Sequence, residues 1–263
     1  MVTVKEIYDF LAAYAPPERK MDFDNVGLLA GWESRPVTRV LVALDITTQV
    51  IDEAARIGAE LIVSHHPMFF ELKRVTDTDK NGVKALKLIE NGISAICMHT
   101  NLDGAQRGVN FALANAIGMT DPQLLTVDGV DSTGTPYSYG RAGHLEAPVP
   151  METFLAHLKK ALNSNGLRYH DAGRPVYYVG AVGGSGGSDL EAAVAKGCDT
   201  FVTADVKYDV FLDAKYYGIN LIDADHFCTE NTVVPVLREA ISQAFAGLDV
   251  QISQCHGQTA KFY

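Results

Sequence analysis

Three short segments bring metal-ligating side chains together at close spacing. They are VSHHPMF (63–69) with His65 and His66, MHTNLD (98–103) with Asp103, and DADHFCTE (223–230) with His226 and Glu230. Adjacent histidines leaving a strand point to opposite sides, so they suit two ions better than one. Pro67 lacks a backbone donor and turns the chain out of the sheet. Each segment also has a plainer reading. The histidines can be turn residues, Asp103 can form an Asx turn or cap a helix ahead of Gly108, and Thr229 can cap a helix with Glu230 near its positive end. Taken together, three imidazoles and two carboxylates form a donor set suited to first-row cations such as Zn, Fe or Mn. Five ligands exceed one tetrahedral site. Two divalent ions per subunit, sharing a carboxylate, account for the surplus. One partition gives His65, Asp103 and Glu230 to the first ion and His66, His226 and Glu230 to the second. His99 is either a further ligand, an orienting group or a proton carrier, since an unperturbed imidazole titrates near neutrality.

Two other segments carry weaker signals. The loop GGSGGS (183–188) sits between a strand and a helix, where it can hold an anion or simply make a tight turn. It matches neither the dinucleotide fingerprint nor the Walker loop. TADVKYD (203–209) offers Asp205, Lys207 and Tyr208 as lining residues or as a solvated turn.

The elements that must position these groups alternate. Strands are expected at Val40–Asp45, Leu61–Ser64, Ile93–Met98 and Val176–Val182. Helices are expected at Val50–Gly58, Asp79–Glu90, Gly108–Ile117, Asp189–Lys196 and Asn231–Ala244. This alternation predicts an α/β fold with mixed, largely parallel sheets and flanking helices. Residues 121–170 change character, with the turn-rich DGVDSTGTPYSYG, a strand at Gly140–Leu145 and a helix at Met151–Leu162. The second half weakly repeats the first: AARIGAELIVSH (54–65) parallels AVAKGCDTFVTA (193–204), and NGISAICMHT (91–100) parallels YGINLIDADH (217–226). Two similar lobes follow, a metal-binding one from 1–120 plus 225–263 and a second from 121–224, with the ligands at strand exits.

Composition narrows the function classes. With 263 residues, 47% of them hydrophobic, the chain can bury a large core. No stretch of 18 or more apolar residues suggests a membrane span. The opening MVTVKEIYDFLAAYAPPERK reads as an amphipathic helix with a Thr3–Glu6 capping box, not as a signal peptide. A net charge of −10 disfavours a nucleic-acid partner. Cys97, Cys198, Cys228 and Cys255 show no paired spacing, so they are expected reduced and mostly buried, in keeping with a cytoplasmic protein.

The ordered set FDNVGLLAG (23–31), VSHHPMF, HTNLD (99–103), GRAGHL (140–145), AVGGSGGSD (181–189), TADVKYD and DADHFCTE resembles the dinuclear metal centre hexameric proteins. That family is also catalogued as GTP cyclohydrolase I type 2 or Nif-three-like, and the resemblance runs through nearly the whole chain. It implies a five-ligand dinuclear site, which falls on His65, His66, Asp103, His226 and Glu230. It also implies a homohexameric ring and, by name, ring opening of a purine nucleotide. The chain is of the short form, without the extra middle domain of longer members. Three positions depart from the pattern: Phe23 where tryptophan is usual, Asp209 where histidine is common, and Asp225 where glycine is common. The expected function is metal-dependent hydrolysis of a small-molecule or nucleotide substrate, with His99 as proton carrier. A non-catalytic metal-binding scaffold or regulator is the rival. A mononuclear amidohydrolase would normally show His-x-His, where this chain has His65-His66.

Overall fold

The computed structural model describes all 263 residues. The chain divides into two compact units, Met1–Ala105 with Val234–Gly257, and Gln106–Val233 with Gln258–Tyr263. The division at 120 and 225 expected from the sequence grouped Val109–Ile117 and His226–Glu230 with the first unit. Both lie in the second, where Leu113, Ala114, Ile117 and Cys228 join one apolar cluster with Phe154, Leu158, Val179 and Val202.

In the first unit, four parallel strands lie in the order Ser94–Cys97, Leu61–Ser64, Arg39–Ala43, Asp249–Ile252, with Gly27–Ala30 antiparallel at the edge beside Ser94–Cys97. All residues of Leu61–Ser64 and Ser94–Cys97 are buried, as expected for parallel strands covered on both faces. Helices Thr48–Ile57 and Lys80–Glu90 pack Val50, Ile51, Ala54, Ala85 and Leu88 against Leu41, Ala43, Ile62 and Ala95. By alternation, Val40, Val42, Leu61 and Val63 face the other way, and they too are fully buried. Each such side chain contributes about 1.5–3 kcal/mol relative to exposure. Helix Val4–Tyr14 begins at the expected capping box, with Thr3 and Glu6 bonding reciprocally and Val4, Ile7 and Leu11 buried.

The second unit holds a six-stranded sheet in which Val176–Ala181, Thr200–Thr203 and Asn220–Asp223 run parallel. Its antiparallel members include Arg141–Val149, longer than the expected Gly140–Leu145. One face carries helices Val109–Ile117 and Met151–Ala161, and the other carries Leu190, Ala193 and Ala214 from helices Leu190–Lys196 and Tyr208–Tyr217. The turn-rich stretch forms the small hairpin Gly129–Val130 with Pro136–Tyr137. The weak repeat is real at this level. Gly58 and Gly197 both end helices in the left-handed region (φ +73° and +87°), each just ahead of a buried parallel strand.

Candidate metal centre

In the first unit the candidate ligands stand where parallel strands end. His65 follows Leu61–Ser64 and is fully buried. Its backbone is pinned: Cys97 Sγ donates to its carbonyl at 3.0 Å, while at the next residue Ser64 Oγ donates to the His66 carbonyl at 2.8 Å and His66 N to the Leu44 carbonyl at 2.9 Å. The His65 Nδ1 lies 3.0 Å from the Met98 carbonyl. A carbonyl only accepts, so Nδ1 carries the proton and Nε2 keeps its lone pair for a ligand. The Nδ1 of His66 donates to Asp45 Oδ1 at 2.8 Å, and that of His99 to Asp24 Oδ1 at 2.8 Å. In each of the three rings Nε2 is therefore the nitrogen that could bind an ion. Their centroids lie 5.0–5.6 Å apart, and one ligating nitrogen from each falls within 4.8 Å of the others.

Asp103 ends the single helical turn Thr100–Asp103, with Oδ1 3.8 Å from His65 Nε2. Asp24 builds the start of that turn. Its Oδ2 accepts from Thr100 N at 2.9 Å and from Thr100 Oγ1 at 2.5 Å. Burial alone would raise the Asp24 carboxyl, but the bonds from His99 and Thr100 outweigh it and hold it well below the usual carboxylate range. Asp24 thus stays ionised and keeps the His99 ring in place.

In the second unit the short helix His226–Glu230 sets its end residues on one face, with His226 Nε2 3.1 Å from Glu230 Oε2. This helix is separate from Val233–Ala244, and the side chain that caps it is Asp225, accepting from Cys228 N at 3.1 Å. Thr229, read from sequence as a cap for the helix that follows, accepts from Gly184 N at 3.0 Å and donates toward the Asp225 and His226 carbonyls. His226 Nδ1 donates to Asp205 Oδ2 at 2.7 Å. Only three non-glycine residues have positive φ, and two of them are Asp205 (+52°) and Asp225 (+72°). Backbone strain of this kind collects at functional sites.

The GGSGGS loop makes room for a ligand. Gly184 has φ +65°, and a Cβ there would lie 2.2 Å from Glu230 Oε1 and 3.2 Å from His226 Cε1. The space that the sequence left open to an anion is filled by the chain's own carboxylate. Lys207, Tyr208 and Asp209 are exposed.

All six residues singled out by sequence are at strand exits or on the turns that follow. Asp24 and Asp45, which aim imidazoles, were missed; Asp205, offered from sequence only as a lining or turn residue, aims His226, and Gly184 of the GGSGGS loop admits Glu230. Imidazole nitrogens backed by carboxylate or carbonyl, beside further carboxylates, fit a borderline divalent cation in both charge and donor type.

The model of the family described as Duf34/NIF3 (NGG1p interacting factor 3) matches residues 2–259. A Clostridium acetobutylicum protein named GTP cyclohydrolase 1 type 2 homolog is 32% identical over 245 residues, 92% of this chain and 90% of its own. The crystal structure of a Staphylococcus aureus hypothetical protein superposes with a TM-score of 0.91 at 28% identity, covering 99% of each chain. A Bacillus cereus protein related to NIF3 gives 0.93 at 23% identity, over 100% of this chain and 99% of that one, a likeness of fold. The chain belongs to the Duf34/NIF3 family.

Proposed function

We propose that this chain is a metal-dependent hydrolase that binds two divalent ions. His65, Asp103 and Glu230 would hold one ion and His66, His226 and Glu230 the other. The observation that carries this is the engagement of Nδ1 in His65, His66, His99 and His226 by an oxygen acceptor at 2.7–3.0 Å. Metal-ligating histidines are oriented in this way, and here the four backed rings stand, with Asp103 and Glu230, at strand exits. Bound ions would supply Lewis acidity and an activated water for hydrolysis. Asp45 and Asp205 fix the tautomers of their partners, and His99, held by Asp24, is the group that moves a proton. Relatives named GTP cyclohydrolase 1 type 2 homolog point to nucleotide ring opening as the first reaction class to assay. The chain acts as a homohexamer in this reading, and light scattering that gives a monomer mass at micromolar concentration would remove that part.

The test is elemental analysis of protein purified without chelator, with Glu230→Gln as the comparison. About two ions per chain are expected in the wild type, as a two-metal centre requires, with a large loss in the variant. Nucleotide ring opening, phosphoester cleavage and cyclic-amide cleavage are then assayed with the metal-loaded protein. Two ions without turnover above the Glu230→Gln blank on any class would leave a metal-binding scaffold and end the hydrolase reading.

No helix is long and apolar enough to cross a membrane.

A further inference from the structure

Beside the first-unit imidazoles the chain displays two aromatic rings. Phe23 is 64% and Phe70 56% exposed, unusual for adjacent residues of this size. Their ring centroids lie 6.0 Å apart, and Phe70 lies 5.9 Å from the His99 ring. These are not side chains on loose loops. Asn25 Nδ2 donates to the Phe69 carbonyl at 3.0 Å, tying the two aromatic-bearing segments together. Lys84 Nζ donates to the Met68 carbonyl at 3.3 Å, and Met21 N to Thr100 Oγ1 at 2.9 Å. Asp24, next to Phe23 in the chain, is the carboxylate that grips both His99 and Thr100. The segment that presents Phe23 and the ring of His99 are therefore fixed by one residue. Exposed apolar area held rigid beside candidate reactive groups is preorganised for a ligand rather than left over from folding.

We propose that Phe23 and Phe70 are specificity-determining residues that stack a planar heteroaromatic ring of the substrate beside His99. This rests on the hydrolase reading for the reaction but not for the binding of the ring. A flat π-system stacks over its whole face on an aromatic side chain, while a saturated ring offers only a puckered C–H face with less contact. The pair thus selects a nucleobase-like heterocycle over a sugar or an alkyl amide of the same size.

The experiment is a binding titration of the intact, metal-loaded protein with guanosine, uridine and, as the control without a base, ribose, followed by ligand NMR. Guanosine and uridine should bind measurably and ribose should not. Phe70→Ala and Phe23→Ala should each weaken guanosine about 10-fold, a typical effect of removing one stacked aromatic. Phe70→Trp should retain binding, and Phe70→Leu, which keeps apolar bulk without a π face, should lose it. Metal content should be unchanged in all four, since none supplies a ligand, and circular dichroism verifies that each folds. Equal guanosine affinity in wild type, Phe70→Ala and Phe70→Leu overturns the proposal, as does nucleoside binding no tighter than that of ribose. Failure of the metal reading looks different: Glu230→Gln would keep its metal while the Phe70 dependence of guanosine binding persisted.

Discussion

Replacing Gly184 by alanine tests the second-unit half of the proposed centre without touching a ligand. An added Cβ would stand 2.2 Å from Glu230 Oε1, where ordinary contact begins near 3.4 Å, so the oxygen must retreat by about 1 Å. Metal–ligand distances tolerate only about 0.2 Å. The carboxylate cannot retreat into solvent, because Glu230 is 4% exposed, and His226 Cε1 at 3.2 Å blocks part of the space beside it. Metal affinity should fall at least as far as when an orienting group is lost, about 10–100-fold or roughly 1.4–2.8 kcal/mol. Alanine at φ +65° also strains the backbone by about 1–2 kcal/mol, and that contribution needs its own control. Gly218 provides it, with the same φ of +65° at the end of helix Tyr208–Tyr217 and open space within 4 Å of where its Cβ would stand. Gly184→Ala and Gly218→Ala should both lower metal-free stability, as read by urea unfolding. Only Gly184→Ala should weaken metal in a competition titration against a chromophoric chelator. Wild-type metal affinity in folded Gly184→Ala would refute the assignment of Glu230 as a ligand.

Asp45→Ala and Asp205→Ala should each weaken metal binding about 10–100-fold with little change in circular dichroism, because each removes the acceptor that fixes an imidazole tautomer; unchanged affinity in both would count against the orienting role. Glu53 is buried and accepts from Ser253 Oγ, from Gln254 N at 3.0 Å and from Cys255 N at 3.2 Å. Burial pushes its carboxyl up, but those bonds outweigh burial and hold it below its ordinary value. Its contribution is therefore complete above the unfolded value, about 4.3, and is lost as the pH falls through the lower folded value. Glu53→Gln should cost about 2 kcal/mol in urea unfolding at pH 7, and the gap from wild type should close below about pH 4. Of the four thiols, Cys255 is exposed and the others are buried, with burial pushing Cys198 and Cys228 up to about 12. Ellman's reagent should thus titrate one thiol quickly in native protein and four in guanidinium; two or more fast native thiols would contradict the packing.

The ligand types and the strand exits were legible because both rest on local signals. A buried parallel strand reads as a short apolar run, and a histidine or acid directly after it is conspicuous, as at LIVS followed by His65-His66. The helix ends at Gly58 and Gly197 were legible for the same reason. What could not be read was pairing across distance. Asp24 and His99 are 75 residues apart, and nothing near Asp24 marks it as anything but a turn residue. The allocation of Val109–Ile117 to the second unit depended on which sheet its apolar face would meet, and an apolar face fits either. Glu230's place under Gly184 needed the loop's φ and the helix's position together, so GGSGGS alone left both an anion site and a tight turn open.

One of the missed pairings has a regularity that explains it. Asp45 and His66 are 21 residues apart, and so are Asp205 and His226. Each interval spans one helix and one return to the neighbouring parallel strand, with Ala43 registered on Ser64 in the first unit and Thr203 on Asp223 in the second. Parallel neighbours lie about 4.8 Å apart. Residues two or three beyond their registered ends therefore leave the sheet side by side, close enough for a carboxylate on one to meet an imidazole on the next. The strand–helix–strand unit delivers an oriented imidazole as a by-product of its register, provided an acid follows the first strand and a histidine the second. The first unit uses its next strand as well, since the His65 and His99 rings at the ends of Leu61–Ser64 and Ser94–Cys97 lie 5.1 Å apart. Repetition of this unit within one chain is thus enough to place donors of two kinds at strand ends in both halves, and the strained φ of Asp205 marks where the backbone was bent to complete the second pair.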